Sequence, residues 1–486
     1  MPGLESNEPL RLSRMPCIWA LVTLGFLATI HLAVLSSDGS LWNWKNGALD
    51  GAFEEAGAQY VREPVQLLQV KAGFDANDVV ERAQELYYQP DIDHLTGRSF
   101  LKPPIVRSHV VLDHGPEAQR NWNPLPAILD FHRHLRERGI RLIVLPVPSK
   151  AVFANRSHGP ILNTGYQVFL DKLHASGVET YDLVPLYEKM QAAGKRLFLE
   201  TDSHWTPEAM ARAAQAVATA TSVQAPGDPY PVLERQLSAS GDLARLHGHA
   251  PKETIRQKML LGRNDLLWKP DPGAPYLLLG DSFSNIYSLD QMGWGIGAGF
   301  AEALSIELRA PVDRIARNSD GAFASRQELL RDPHRLANKA VVVWQFAMRE
   351  LSFGDWKVLP LIPADSSPRP RPGAKTGELE GTIVRVAPIP SLNRTPYREA
   401  IREVLLENVR SSSGLVPERV VLLGYAIQDH LPSGMASWEP GDQVRVRFVS
   451  WDSVVKISGR LHRFALPDPD LELLQVPWLW WEQADP

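Results

Sequence analysis

The chain has one cysteine, Cys17, among its 486 residues. No intramolecular disulfide can form, so the fold stands on packing alone; export stays open, because many exported proteins also lack disulfides. Neither sign of charge dominates: 51 lysines and arginines face 56 aspartates and glutamates, a net of −5. Such a chain sets up no field that gathers polyanions, which argues against nucleic acid as a partner, although a near-neutral total leaves local basic patches open. No internal repeat is found, so no repeat architecture is indicated. Proline and tryptophan, at 39 and 14, exceed average usage. Indole faces either fill cores or line sugar sites. The length exceeds what one hydrophobic core usually holds, so two or three folding units are expected.

The stretch CIWALVTLGFLATIHLAVL, Cys17 to Leu35, holds no Asp, Glu, Lys or Arg and is long enough to cross a bilayer as one helix. It has no polar face, unlike a buried helix of a globular domain. Arg11 and Arg14 precede it, which by the positive-inside tendency leaves residues 1–14 in the cytoplasm and the bulk of the chain on the other side. A cleaved signal peptide is the alternative; the stretch is long and lacks a good small-x-small site, which favours a retained anchor over residues 15–36 in the inner membrane.

A helix is expected near Asn77 to Tyr87. Helical spacing then runs from Leu125 to Arg138 and stops at Gly139, and RLIVLPV, Arg141 to Val147, reads as a strand covered on both faces. The alternation continues with helices at Tyr166–Ala175 and Pro185–Ala193 around a strand at Val178–Leu183. Another helix begins at Pro207 with Thr206 as its cap. After a polar stretch come strands at Tyr276–Leu279, Val312–Ala316 and Ala340–Phe346, with a glycine-rich helical region to about Leu308. Strands alternating with helices indicate an α/β sandwich with a mainly parallel sheet. A proline-rich spacer, residues 363–376, separates this domain from a mostly β module over residues 377–486. That module has strands near Gly381–Val386, Val420–Gly424, Gln443–Val449 and Gly459–Phe464, and a helix at Arg398–Asn408.

Ligands of open parallel sheets sit beyond the carboxyl ends of the strands. The polar residues there are Ser149 and Lys150, Asp281, Ser282 and Ser284, Asn318 and Asp320, and Gln345, Arg349 and Glu350. GDSFS, Gly280 to Ser284, follows an apolar strand and leads into a helical segment. A serine there is lifted out of the sheet, and backbone N–H groups at the helix start can receive an oxyanion. Gly-Asp-Ser is also a common turn composition, and Ser284 is an alternative nucleophile. TDSHWTP, Thr201 to Pro207, places Asp202 and His204 one residue apart on one side of an extended segment, so the carboxylate can fix the imidazole that activates serine. The competing readings are a turn aspartate beside a solvated histidine, and a metal site, for which two ligands without a third are too few. Trp344 either packs in the core or lines a sugar site. Arg349 either pairs with Glu350 at the surface or holds a carboxylate, and Lys150 is either solvated or a cation on the rim.

PVPSKAVF, ETDSHWTPEAMARAA, LLGDSFS and VVVWQFAMREL, in this order, resemble the polysaccharide O-acetyltransferases of the AlgJ and AlgX type, over roughly residues 47–362. The resemblance implies an SGNH-hydrolase-like domain in which the Asp-x-His element precedes the serine. It implies a Ser282, His204, Asp202 triad that moves acetyl groups onto hydroxyls of an exported polysaccharide, supplied by a multi-pass membrane acyltransferase partner, with no metal or organic cofactor. Asn318 is the candidate oxyanion asparagine by position. Trp-Gln-Phe-Ala stands here where the family more often has Trp-Glu-Phe-Pro, which leaves the role of Gln345 open, and the module after Lys375 lies outside the match. The alternatives are a carbohydrate acetyl esterase and a non-catalytic polysaccharide-binding scaffold.

Overall fold

The computed structural model describes residues 79–102, 121–360, 376–389 and 399–482, with short gaps inside these ranges. The apolar stretch Cys17–Leu35, Asp320 and the proline-rich spacer up to residue 375 lie outside the described residues. Among the described residues no helix is long and apolar enough to cross a membrane.

The described chain opens with an antiparallel hairpin, β1 (Val79–Arg82) and β2 (Glu85–Tyr88), with Val79 opposite Tyr88. This corrects the helix expected at Asn77–Tyr87. The β-branched pair Val79–Val80 and the aromatic pair Tyr87–Tyr88 suit a pleated surface better than a helix. The helix α1 (Gln89–Thr96) starts only afterwards, with Pro90 in its first turn.

The α/β domain follows largely as expected. Helix α2 (Pro124–Glu137) is capped by Asn123, whose side chain accepts from Leu125 N at 3.1 Å, and it buries Ala127, Ile128, Phe131 and Leu135 against the sheet. Next come β3 (Arg141–Val147), α3 (Tyr166–Ala175), the two-residue β4 (Glu179–Thr180) and α4 (Val184–Ala192). Helix α5 (Pro207–Thr221) is capped by Thr206, whose hydroxyl accepts from Ala209 N at 3.2 Å. The polar stretch beyond holds an antiparallel pair, β5 (Val232–Ala239) and β6 (Glu253–Leu260), joined through the short helix α6 (Asp242–Leu246). β5 is largely exposed and β6 buries polar as well as apolar residues, Glu253 and Gln257 beside Ile255 and Leu260, so neither reads as an apolar run. Then follow β7 (Tyr276–Gly280), α7 (Ser282–Asn285), α8 (Phe300–Leu308), β8 (Val312–Ala316), α9 (Ala324–Arg331), β9 (Val341–Ala347) and α10 (Glu350–Phe353).

The five strands β4-β3-β9-β7-β8 form one sheet in that order, and every pairing is parallel. All residues of β7 and β9 are buried, which is why these strands read as apolar runs. Parallel pairing aims their carboxyl ends the same way, so the loops after β3, β7, β8 and β9 open at one rim.

The C-terminal module is a β-barrel. Its strands are β10 (Thr376–Val386), β11 (Ala400–Ser411), β12 (Val420–Gln428), β13 (Leu431–Pro432), β14 (Gln443–Ser450), β15 (His462–Phe464) and β16 (Trp478–Trp481). They run in the order β13-β12-β16-β14-β10-β11-β15, and an added β11–β12 pairing closes the ring. The helix expected at Arg398–Asn408 is instead β11. Ile401, Val404 and Leu405 are fully buried there, and pairing on both sides by β10 and β12 overrides the helical preference of its Glu and Leu residues.

Trp344 on β9 is fully buried, which corrects its assignment to a sugar site. Its indole donates to Gly321 O at 3.0 Å and is walled by Phe131, Phe346 and Trp356, with the Arg326 guanidinium 4.9 Å from the ring centre. No face of the ring is left for a ligand. Trp344→Ala is expected to cost about 3–5 kcal/mol of stability in denaturant unfolding; a variant of normal stability with weakened sugar binding would restore the ligand role.

Candidate active site

The segment after α4 turns sharply between Leu197 and Thr206, where Leu199 N donates to His204 O at 3.0 Å and Thr206 N to Leu197 O at 2.8 Å. Asp202 and His204 point the same way out of this turn. Asp202 Oδ1 lies 2.6 Å from His204 Nδ1 and also accepts from His204 N at 3.1 Å. Its other oxygen accepts from Trp294 Nε1 at 2.8 Å and from Asp242 N at 3.0 Å. A buried carboxylate with four donors keeps its charge without water. Burial pushes Asp202 up, but the imidazole's charge and hydrogen bond, with the Trp294 bond and Arg245, outweigh it and hold the carboxyl well below the usual range. Burial pushes His204 down, and the Asp202 carboxylate together with Asp242 more than reverses this, so the imidazole is raised.

With Nδ1 committed to Asp202, His204 Nε2 is the working atom of the ring. It is buried and has no hydrogen-bond partner among the described residues. Phe283, the residue after Ser282, sets its ring 4.7 Å from the imidazole, and Trp205 Nε1 donates to Phe283 O at 3.1 Å. The structure thus brings the Asp202–His204 turn against the start of α7, although no Ser282–His204 hydrogen bond is formed.

Ser282 opens α7 directly beyond β7. Asp281 caps this helix: its Oδ1 accepts from Phe283 N at 2.8 Å and from Gln345 Nε2 at 2.7 Å, and its Oδ2 from Ala347 N at 2.6 Å. Burial raises its carboxyl, and these donors only partly offset that. Gln345 completes a ring of bonds, accepting from Asp281 N at 3.1 Å and from Ser284 Oγ at 2.5 Å. Ser284 is therefore fully buried and spent on Gln345, which leaves Ser282 as the serine at the rim. Two N–H groups expected to receive an oxyanion are also spent, Phe283 N on Asp281 Oδ1 and Ser284 N on Asp281 O at 3.1 Å. Asn318 beyond β8 offers another donor. Its oxygen accepts from Asn285 Nδ2 at 2.9 Å, and among the described residues its own amide nitrogen meets the Met292 thioether, at 3.2 Å.

The other expected site residues take different places. Lys150 is a buried strut and no rim cation: Nζ donates to Leu199 O and Glu200 O, both at 3.0 Å, just before Asp202, and burial lowers its pKa. Arg349 is buried too, 3.2 Å from Asp91 Oδ1, and lies over the rings of Tyr88 and Phe283 at 5.2 and 6.0 Å. Neither Arg349 nor Glu350 lies at the surface as expected; Glu350 is buried and accepts from Gly321 N at 3.0 Å and Ala322 N at 2.6 Å. Both residues support the rim from below.

Two residues escaped the sequence. Trp294 lies in a loop where Gly293 and Gly295 hold φ of 83° and 84°, and a lone tryptophan between such glycines is a signal of a placed side chain. Asp242 accepts from Ser203 Oγ at 2.6 Å and from Ser203 N at 2.8 Å, and stands 3.7 Å from His204 Nδ1. Burial and the Asp202 charge push its carboxyl up to about 6. Asp202, His204 and Asp242 together could hold a cation. However, Asp202 already has four donors, and the imidazole atom nearest both carboxylates is the one bonded to Asp202, so an ion would displace the pair.

Residues 107–348 match the family model of the SGNH hydrolase-like domain, acetyltransferase AlgX. A probable alginate O-acetylase AlgJ from Pseudomonas putida is 26% identical over 241 residues, covering 45% of this chain and 60% of that protein. Its namesake from Pseudomonas aeruginosa is 24% identical over 261 residues, covering 49% and 65%. The match thus spans less than two thirds of either relative. Among solved structures, the O-acetyltransferase domain of Pseudomonas putida AlgJ aligns over 57% of this chain and 93% of its own, at 24% identity and a TM-score of 0.41. Pseudomonas aeruginosa AlgX aligns over 69% and 85%, at 19% identity and a TM-score of 0.34.

Two measurements test this geometry. The His204 imidazole is expected to titrate by NMR above the ordinary histidine value and to move down in Asp242→Asn, because removing a nearby anion disfavours the imidazolium; no movement would show that Asp242 does not act on the ring. A methyl group at Gly241 would overlap Thr201 O and Asp202 Cβ. Gly241→Ala should therefore cost about 1–3 kcal/mol of stability by displacing the Asp202 turn, and an unchanged unfolding midpoint would contradict that packing.

Proposed function

From the AlgX-type SGNH hydrolase-like domain that residues 107–348 carry, we propose that this chain is an O-acetyltransferase that places acetyl groups on hydroxyls of an exported, alginate-like polysaccharide. The single observation that supports this best is the imidazole of His204, locked by Asp202 at Nδ1 and buried with a free Nε2 against the helix that begins at Ser282. A histidine held so has one remaining task for its second nitrogen, which is to take and return a proton.

In the proposed reaction, Ser282 Oγ attacks the carbonyl carbon of the acetyl donor while His204 Nε2 takes the hydroxyl proton. Asp202 keeps the ring oriented and stabilises the imidazolium that forms. The oxyanion of the tetrahedral intermediate is held by the Asn318 amide nitrogen. Collapse breaks the donor's ester bond, His204 gives its proton to the departing oxygen, and acetyl-serine remains. A sugar hydroxyl then attacks, loses its proton to His204, and leaves as the acetyl ester while Ser282 regains its proton. The Asp202 carboxylate, which raises the His204 imidazole against the effect of burial, favours the imidazolium that forms in each step. We place this chemistry outside the cytoplasm, with the apolar stretch Cys17–Leu35 as an inner-membrane anchor. A multi-pass membrane acyltransferase would pass acetyl groups to it there.

The test is mass analysis after incubation with p-nitrophenyl acetate, with and without acetyl-free oligosaccharide. One acetyl group is expected on Ser282, discharged faster by the sugar than by water. Ser282→Ala should lower turnover by roughly four to six powers of ten. Discharge to water alone would make the protein an esterase, and no acylation at all would leave a binding scaffold.

A further inference from the structure

A buried ion cluster crosses the seam between the α/β domain and the barrel. Glu328 Oε2 on α9 lies 2.8 Å from Arg317 Nη2 and 3.6 Å from Arg463 Nη1 on β15. Arg463 Nε reaches Glu403 Oε1 of β11 at 3.1 Å, its Nη2 donates to Gln327 Oε1 at 3.5 Å, and its guanidinium stands 4.7 Å from the centre of the Trp478 ring. Glu403 is itself fixed, its Oε2 accepting from Leu466 N at 2.9 Å. Two cations and two anions are thus enclosed, with side chains between 4% and 16% exposed. Buried pairs seldom add net stability over apolar packing, so such a cluster calls for a reason besides stability.

Arg317 supplies that reason. It is the first residue after β8, its N donates to Gly280 O at 2.9 Å, and the next residue is Asn318. Gly280 leads directly into Asp281 and Ser282, and Asn318 is bonded to Asn285 at the far end of the helix Ser282 begins. The side chain of Arg317 leaves this backbone toward Glu328, and Glu328 in turn faces Arg463. One end of the chain of contacts is in the barrel wall and the other is one residue from the oxyanion donor.

We propose that Arg463 is a positioning residue for acyl transfer: through Glu328 it fixes Arg317, and thereby the place of the Asn318 amide relative to Ser282. The barrel acts in cis on the chemistry of the neighbouring domain. The inference rests on the reading of Asn318 as the oxyanion donor. An oxyanion exists only in the transition state and intermediate, so a displaced Asn318 lowers kcat and leaves KM alone.

The experiment is a double-mutant cycle on the full chain, read as kcat and KM for p-nitrophenyl acetate. Asn318→Ala should lower kcat by about a hundredfold. Arg463→Met should lower kcat about tenfold at unchanged KM, and by less than about twofold once Asn318 is already alanine. Arg463→Lys, which keeps the charge without the planar fork, should fall between Met and the natural residue. If Arg463→Met fails to fold, Glu328→Gln keeps the shape, removes the shared anion and runs the same cycle. Equal losses in both Asn318 backgrounds, or no loss of kcat from Arg463→Met, would overturn the positioning role while leaving the triad intact. A silent Asn318→Ala would instead remove the oxyanion reading beneath it, and a Ser282→Ala variant of normal activity would remove the proposed function itself.

Discussion

A buried carboxylate with all its positions filled organises this molecule. Asp202 takes hydrogen bonds from four donors lying on three separate parts of the chain: its own turn, the start of α6, and the glycine-flanked loop at Trp294. Its negative charge is what holds His204 in one tautomer and one orientation. The cost of burying that charge is met by the geometry around it, and so the β5–β6 excursion, which carries Asp242 in its connection, is part of the site. Lys150 adds a strut from the end of β3 to the carbonyls just ahead of the turn.

The serine side is built on the same plan. Asp281 and Gln345 tie the end of β7 to the end of β9 through reciprocal amide bonds, and the carboxylate is the cap that starts α7. Gln345 is the residue on which these bonds turn. In this chain an amide is the better fit, because its nitrogen donates to one buried carboxylate while its oxygen accepts from Asp281 N and Ser284 Oγ. A second carboxylate would put two like charges in contact away from water.

The parallel sheet was legible because β3, β7 and β9 are buried on both faces and read as unbroken apolar runs, separated by helices with visible caps at Thr206 and at the glycine after α2. The Asp202–His204 pair was legible from its spacing. β11 has a helical composition, but partners outside it decide the outcome, because it is paired on both sides. The hairpin at Val79–Tyr88 is local, and there the β-branched and aromatic pairs outweigh the helical spacing. Trp344, Arg349 and Lys150 sit at strand ends, where a polar or aromatic residue suggests a ligand. Their actual partners, Gly321 O, Asp91 and Leu199 O, are from 23 to 258 residues away and could not be seen from spacing. Asp242 was hidden for the same reason.

The Asp91–Arg349 pair also bears on where the α/β domain begins. The matched family domain starts at residue 107, yet the anion that neutralises the buried guanidinium behind Phe283 belongs to α1, well upstream. His94 on the same helix bonds Ser352 at 2.7 Å, and Asn163 clasps the carbonyls of His94 and Arg98 at 2.7 and 3.0 Å. A fragment trimmed to residues 107–348 would keep Asp202, His204 and Ser282 but lose both Asp91 and Arg349, and with them the charged pair that lies behind Phe283. The packed unit therefore extends past the matched residues at both ends, to Asp91 and His94 on one side and to Arg349 and Ser352 on the other.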